Sequence, residues 1–226
     1  MSDSLHFSEH LLQEVALGFM AVVYITRLIW LTRFKAGKER QPATGTGTSI
    51  RKGILYSWAN IFNPWGMEST RTRFFIYLQF GIFHVGVTLA IAMSFVIPYT
   101  PQLLELPYLV PAFQGIIGAA CLVGVLRLIK RISDKHMRAI SSPDDYFSLI
   151  LLTVWFFFAT LAVPNDTAGG EGIMLTYFIL TAFFLVYVPF SKISHYLYYP
   201  FTRYYFGKSM GHRGTYPIKR VPEPHN

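Results

Sequence analysis

The sequence predicts an all-α membrane protein, a five-transmembrane-helix bundle with its N-terminus outside and its C-terminus in the cytoplasm. The composition is membrane-like, with 52% apolar, 17% aromatic and only 14% charged residues. Five apolar runs each have roughly the 17 to 25 residues that a helix needs to cross the hydrocarbon core of a bilayer. All 20 Lys and Arg residues fall on one side when the runs are threaded through the membrane in alternation.

The runs form one integral membrane domain, residues 1–226, whose apolar faces meet lipid outside and each other inside. The third run carries a stripe of Gly and Ala residues, which favours close helix packing over a ligand groove. The predicted spans are residues 11–31, 74–98, 109–129, 146–163 and 173–190, and a basic tail follows at 191–226.

The connections between the spans predict the orientation. The N-terminal segment and the connections 99–108 and 164–172 contain acidic residues but no Lys or Arg. The other connections and the tail are basic, and basic segments stay in the cytoplasm because they resist translocation. Arg27 and Arg127 lie within spans, near the inner ends, where long side chains can snorkel.

Several function classes are excluded at this point. The lone Cys121 supports neither a disulfide framework nor a Cys-rich metal site. The net charge of +8 follows from the membrane topology, and no nucleic-acid-binding motif accompanies it. The first ten residues lack a basic n-region, so the first span is expected to remain in the mature protein.

Two segments of the first inner connection differ in character. Residues 41–48 read QPATGTGT and are expected to form a flexible loop. Residues 53–66 read GILYSWANIFNPWG; their aromatic character favours a position at the inner membrane surface.

Histidines are the strongest candidates for chemistry inside the membrane, where polar groups are costly. His84 is flanked by apolar residues in the second span, and His195 lies near the inner end of the fifth if that helix continues to Tyr199 and stops at Pro200. Two imidazoles on facing helices can close both axial positions of a haem iron, which suits electron transfer. An ordinary hydrogen bond across the bundle explains each position equally well. The two also differ in depth, since His84 lies about 16 Å beyond Arg73 at 1.5 Å per residue, and helix tilt would have to absorb this offset.

Three motifs carry a resemblance to a known family. They are FHVG at 83–86, KRISDKHMRAISSPDDYFSLILL at 130–152 and PFSKISH at 189–195. With the five-span layout, they make the chain similar to the gamma subunit of respiratory nitrate reductase, a membrane b-type cytochrome. The resemblance implies that His84 and His195 are the axial ligands of the haem nearer the cytoplasm.

The chain departs from that family at its second haem. The family's outer ligands correspond to Ser94 and Tyr177 here. We therefore expect one haem b, with the outer haem absent or held differently by an outer group such as His10.

The anionic haem propionates need cations or hydrogen-bond donors near the inner face. Basic side chains that cluster at that depth are the candidates, with snorkelling as the alternative explanation for their positions. These candidates are Arg71, Arg73, Arg127, Lys130 and Arg131.

Related gamma-like subunits occur in membrane-bound heterodisulfide reductases, in the membrane complex linked to dissimilatory sulfite reductase and in high-molecular-weight cytochrome complexes. The resemblance to them implies a cytoplasmic iron–sulfur subunit, other membrane and periplasmic multihaem cytochrome subunits and menaquinone as partners. It also implies a bacterial or archaeal cytoplasmic (inner) membrane. An aromatic cluster beside the basic inner connections is a candidate docking surface, although an aromatic belt at the membrane surface explains it equally well. The cluster comprises Tyr196, Tyr198, Tyr199, Phe201, Tyr204, Tyr205 and Phe206.

The sequence therefore predicts an electron-transfer subunit of an oxidoreductase complex rather than an enzyme acting alone. A haem-free structural anchor for such a complex is the alternative. A small transporter is disfavoured, because the spans show neither polar midplane groups nor internal repeats.

Overall fold

The computed structural model describes residues 2–34, 37, 39–63 and 72–218. Within these ranges all regular structure is helical, as the sequence predicts. Short 3-10 turns lie at Pro101–Glu105, Val188–Phe190 and Lys192–Ser194. The α-helices are α1 (Asp3–Glu9), α2 (Leu11–Arg33), α3 (Ile50–Ala59), α4 (Phe74–Tyr99), α5 (Leu109–Ser133), α6 (Lys135–Ala139), α7 (Pro143–Ala162), α8 (Gly172–Tyr187) and α9 (His195–His212).

Five helical segments are long and apolar enough to cross a membrane, which confirms the predicted number of spans. They are α1 with α2, α4, α5, α7, and α8 with the turn that follows it. Their outward faces carry many exposed large apolar side chains, the surface that lipid covers in a membrane-spanning bundle. The protein is a transmembrane helical protein.

Local chemistry explains where the fourth span begins. Pro143 occupies the first turn of α7, where its missing N–H costs no hydrogen bond. The Asp145 carboxylate accepts hydrogen bonds from the Ser142 backbone N–H at 2.7 Å and from the Ser142 hydroxyl at 2.8 Å. This cap starts the helix a few residues before the predicted limit of the span.

The fifth span ends at Phe190, as predicted, but its helix does not continue to His195. The α-helix stops at Tyr187, because Pro189 cannot donate a backbone hydrogen bond. The Arg27 guanidinium donates to the carbonyl of Pro189, one of the acceptors that a helix end leaves open. His195 is therefore not part of the fifth span but the first residue of α9, and α9 continues past Pro200 instead of ending there.

The described residues form two compact units. The first unit contains the described residues within Met1–Leu31 and Leu78–Ile193. The second unit contains the described residues within Thr32–Tyr77 and Ser194–Asn226. The expectation of a single membrane domain stays a prediction.

Small residues bring the span helices of the first unit close together. A Cβ atom on Gly124 of α5 would lie 2.5 Å from the Thr153 hydroxyl of α7, and one on Gly86 of α4 would lie 2.2 Å from the Cβ of Ala120. Larger side chains would separate these helices. At these positions the small-residue stripe serves helix packing, as the sequence predicts.

In the second unit, α3 and α9 pack through glycines. A Cβ on Gly53 would lie 2.4 Å from the carbonyl oxygen of Gly207 and 2.5 Å from the Cα of Gly211. The Ser57 hydroxyl donates to the carbonyl of Arg203 at 2.9 Å, and the Arg203 guanidinium donates to the Ser57 carbonyl. All these contacts involve the part of α9 beyond Pro200, which explains why the helix persists there.

Candidate functional site

His84 occupies an exposed position on α4 with its ring orientation set by its own helix. Its Nδ1 lies 2.7 Å from the carbonyl oxygen of Phe80, one turn earlier. A carbonyl only accepts hydrogen bonds, so Nδ1 carries the proton and, in the neutral ring, Nε2 carries the lone pair. The Phe80 ring lies 3.9 Å from the imidazole, centroid to centroid. This tautomer, with the ring oriented by the hydrogen bond of Nδ1, is what an axial histidine ligand needs.

Arg127 brings a cation to the level of His84. Its guanidinium carbon lies 5.6 Å from the centroid of the Phe83 ring, the residue next to His84. Phe83 is held in turn by an edge-to-face contact with Phe156, with ring centroids 5.1 Å apart. Arg127 and His84 therefore both lie beside the Phe83 ring, within the first unit.

Arg131, another candidate propionate partner, contacts the start of α7. It donates to the Ser141 hydroxyl at 2.6 Å and lies 3.9 Å from the carboxylate of Asp145. Its guanidinium carbon also lies 6.0 Å from the Tyr146 ring centroid. These contacts tie the end of α5 to the start of α7.

The remaining candidate cations lie at the inner ends of helices. Lys130 is exposed near the end of α5, and Arg73 is exposed just before α4. Arg71 lies outside the described residues. His195 is exposed at the start of α9 and belongs to the second unit, whereas His84 belongs to the first. Their pairing on one iron stays a prediction.

Ser94 and Tyr177, the residues at the family's outer ligand positions, are packed into the first unit. The fully buried Tyr177 donates from its hydroxyl to the Ala90 carbonyl of α4 at 2.6 Å. Its ring stacks on Trp155, whose indole N–H donates to Thr181 at 2.9 Å. The Ser94 hydroxyl donates to the Ile91 carbonyl of its own helix at 2.7 Å. At this level the Tyr177 hydroxyl joins α8 to α4, and the Trp155 indole joins α7 to α8.

A polar network that the sequence reasoning missed joins two of the three family-like motifs. The Lys192 ammonium donates to the Asp145 carboxylate at 3.0 Å, and the Tyr187 hydroxyl donates to the Asp144 carboxylate at 2.6 Å. The Tyr187 and Ser148 oxygens lie 3.0 Å apart. The sequence contained a signal for this network, because the adjacent acidic residues Asp144 and Asp145 lie in an inner connection that is otherwise strongly basic. The network anchors the chain just before the segment that leads to His195.

The outer end of the first unit holds a second histidine pair. The rings of His6 and His10 lie 4.8 Å apart, and His10 meets the Tyr99 ring at 5.4 Å, centroid to centroid. The Tyr99 hydroxyl donates to Glu14 at 2.9 Å. Within the described part of the chain, no group of three His, Cys, Asp or Glu side chains could hold a metal ion.

No protein-family model, curated protein or solved structure matches this chain. The likeness to the nitrate reductase gamma subunit therefore rests on the sequence motifs alone.

Proposed function

We propose that the protein is a membrane b-type cytochrome subunit of a multisubunit respiratory redox complex. It relays electrons between the quinone pool, or adjacent membrane and periplasmic cytochrome subunits, and a cytoplasmic iron–sulfur subunit. When bound, haem b supplies a one-electron couple that resists oxygen chemistry because both axial positions are filled. The axial ligands in this proposal are His84 and His195.

The orientation of His84 is the observation that carries the proposal. His84 donates from Nδ1 to the Phe80 carbonyl of its own helix, so that Nε2 is the basic nitrogen of the neutral ring, and the residue is exposed. This geometry supports a role as an axial ligand.

Cations near His84 support the same proposal. Arg127, beside Phe83, offsets the negative charge of a propionate, and the exposed Lys130 and Arg73 add to it from the inner helix ends. Arg131 stays a candidate propionate partner, and its guanidinium also links α5 to α7 through Asp145. Arg71, outside the described residues, stays a sequence-based candidate.

One haem per chain is proposed rather than two. Tyr177 fills the outer level with a buried ring and a hydroxyl that is bonded to α4. A second haem at this level would have to displace the packing of Tyr177 against Trp155.

The proposed location is a bacterial or archaeal cytoplasmic membrane, with the N-terminus outside and the C-terminus inside. The charge asymmetry of the connections supports this orientation. The exposed rings of Tyr196, Tyr199, Tyr204 and Tyr205 on α9, together with the basic inner connections, provide the surface on which a cytoplasmic iron–sulfur subunit docks.

The test is a reduced-minus-oxidised optical spectrum with haem quantitation on the purified full chain. We expect a low-spin b-type spectrum at about one haem per chain, and its loss in both His84→Ala and His195→Ala. His136→Ala is the matched control, because it removes an exposed histidine of the inner connection and should leave the spectrum intact. Two haems per chain would refute the single-site proposal.

A haem-free structural anchor is the second candidate function. The exposed aromatic side chains of α9 favour it, because they can bind a partner without any cofactor. It predicts no b-type spectrum, and unchanged redox activity of the assembled complex when His84 and His195 are replaced.

A further inference from the structure

One face of the short helix α3 packs against α9. Gly53, Ser57 and Asn60 are all buried, and the glycine contacts with α9 leave no room for a side chain at Gly53. Ser49 starts α3 by accepting the Lys52 N–H at 3.3 Å, and its own N–H donates to the Gly211 carbonyl at 3.0 Å. The rotation of α3 about its axis is therefore determined by α9.

The opposite face of α3 is apolar and exposed. Leu55, Trp58 and Phe62 have relative exposures of 65%, 41% and 85%. Their spacing of three and four residues puts these side chains on one helical face. Phe62 lies just beyond α3, in a turn where its N–H donates to the Ala59 carbonyl at 3.1 Å. The result is a narrow stripe of three large apolar side chains directed away from α9.

Basic residues occupy the N-terminal end of the same helix. Arg51 and Lys52 are both exposed, and Arg51 is one turn before Leu55 on the outward face. The ten residues of α3 contain no acidic side chain. An apolar stripe flanked by cations is the pattern of a helix that lies in a membrane interface, with the stripe among acyl chains and the cations on lipid phosphates.

The position of α3 along the chain favours lipid as the occupant of this face. It lies in the connection between two consecutive spans, α2 and α4, so both of its flanking segments start at the membrane. A stable protein interface buries about 800 Å² on each partner, more than three side chains of a ten-residue helix supply. A bilayer surface needs no such patch, because the two spans that flank α3 in the sequence keep this segment tethered to the membrane.

We propose that α3 lies in the inner interface of the membrane and binds anionic lipid there. Leu55, Trp58 and Phe62 insert beneath the headgroups, and Arg51 and Lys52 contact lipid phosphates. Each cation near an anionic surface shifts such an equilibrium about fivefold. This surface is independent of any haem.

The test uses the full chain in lipid nanodiscs with one cysteine for an environment-sensitive fluorophore. The starting background is Cys121→Ser, which retains a donor toward the Thr153 carbonyl. Phe62→Cys places the label on the proposed face, and Ala43→Cys places it on an exposed loop of the same connection. We expect nitroxide-labelled lipid to quench the label at position 62 strongly and iodide to quench the label at position 43.

Charge is tested with two matched double variants. Arg51→Gln with Lys52→Gln should lower the equilibrium constant for insertion at position 62 about fivefold per charge in phosphatidylglycerol discs, with no change in phosphatidylcholine discs. Lys135→Gln with Arg138→Gln removes the same charge from α6 and should have no effect.

Three outcomes would overturn the proposal. In the first, the label at position 62 is open to iodide and shielded from lipid, as at position 43. In the second, insertion is the same with and without the charges of α3. In the third, the α6 double variant lowers insertion at position 62 as much as the α3 double variant does, which would mean that the net charge of the protein, rather than the cations of α3, controls insertion.

Discussion

Two levels of the first unit differ in how their polar aromatic side chains bond. His84 and Ser94 are ten residues apart on α4, a separation of about 15 Å along a helix. At the level of Ser94, the hydroxyl of Tyr177 and the indole of Trp155 bond to neighbouring helices and are buried. At the level of His84, the imidazole bonds to its own helix and is exposed.

The difference distinguishes packing from binding in a membrane protein. A polar side chain inside a bilayer must be satisfied, and doing so across the bundle makes it part of the helix packing. A polar side chain that is satisfied within its own helix can present its other atoms to a further group. By this criterion, the level of Tyr177 stabilises the fold and the level of His84 is the candidate site.

The largest expected effect comes from breaking the buried level. Tyr177→Ala removes a fully buried ring and should lower the free energy of unfolding by about 3 to 5 kcal/mol, as for other buried aromatics. Tyr177→Phe loses only the hydrogen bond to Ala90 and should cost about 1 kcal/mol. Denaturant unfolding in detergent measures both.

Tyr108→Ala is the control for this pair, because Tyr108 is 84% exposed and its loss should cost less than about 0.5 kcal/mol. Equal losses at Tyr177 and Tyr108 would contradict the contrast between the two levels.

A smaller effect is expected at the level of His84. Arg127→Leu removes the cation beside Phe83 and should change the free energy of unfolding by less than about 1 kcal/mol. On the proposed function, it should lower the reduction potential of the bound haem, because a nearby positive charge favours the reduced state. Potentiometric titration measures this shift.

Lys135→Gln, which removes a charge from α6, should leave the potential unchanged. A reduction potential that Arg127→Leu leaves unchanged would mean that the haem lies away from this residue.

The smallest effect concerns the outer end of the first unit. Hydrogen bonds from the Ser2 hydroxyl and backbone N–H hold the pKa of Glu171 below its ordinary value of about 4.5. Because folding lowers this pKa, the contact stabilises α1 fully at pH values above the ordinary pKa of Glu171. The stabilisation is lost as the pH falls through the lowered pKa of the folded protein. Hydrogen-exchange protection of α1 should therefore decrease on acidification.

Glu171→Gln should reduce this pH dependence, whereas Asp166→Asn, in the same outer connection, should preserve it. Protection of α1 that does not respond to pH in the unmodified chain would show that the Ser2 contact is dispensable.

Much of the fold could be predicted because its causes are local in the sequence. The length of an apolar run decides whether a helix can span, and Pro143 and Pro189 act within one turn of their own positions. The tautomer of His84 is also a local property, since its partner Phe80 is four residues away. The predicted end of the fifth span at residue 190 is confirmed. The sequence left open whether that helix continues to Pro200, because the long-range contact of α9 with α3 decides where α9 begins and ends.

The sequence by itself determined the number of spans, their composition and the motifs that point to His84 and His195. Only the tertiary structure decided which polar groups are used in packing. Tyr177 bonds to Ala90 and Lys192 bonds to Asp145, residues 87 and 47 positions away. Similarly, the buried face of α3 is set by glycines on α9. Such pairings depend on how helices approach one another in space, and hydropathy along a single chain does not encode that approach.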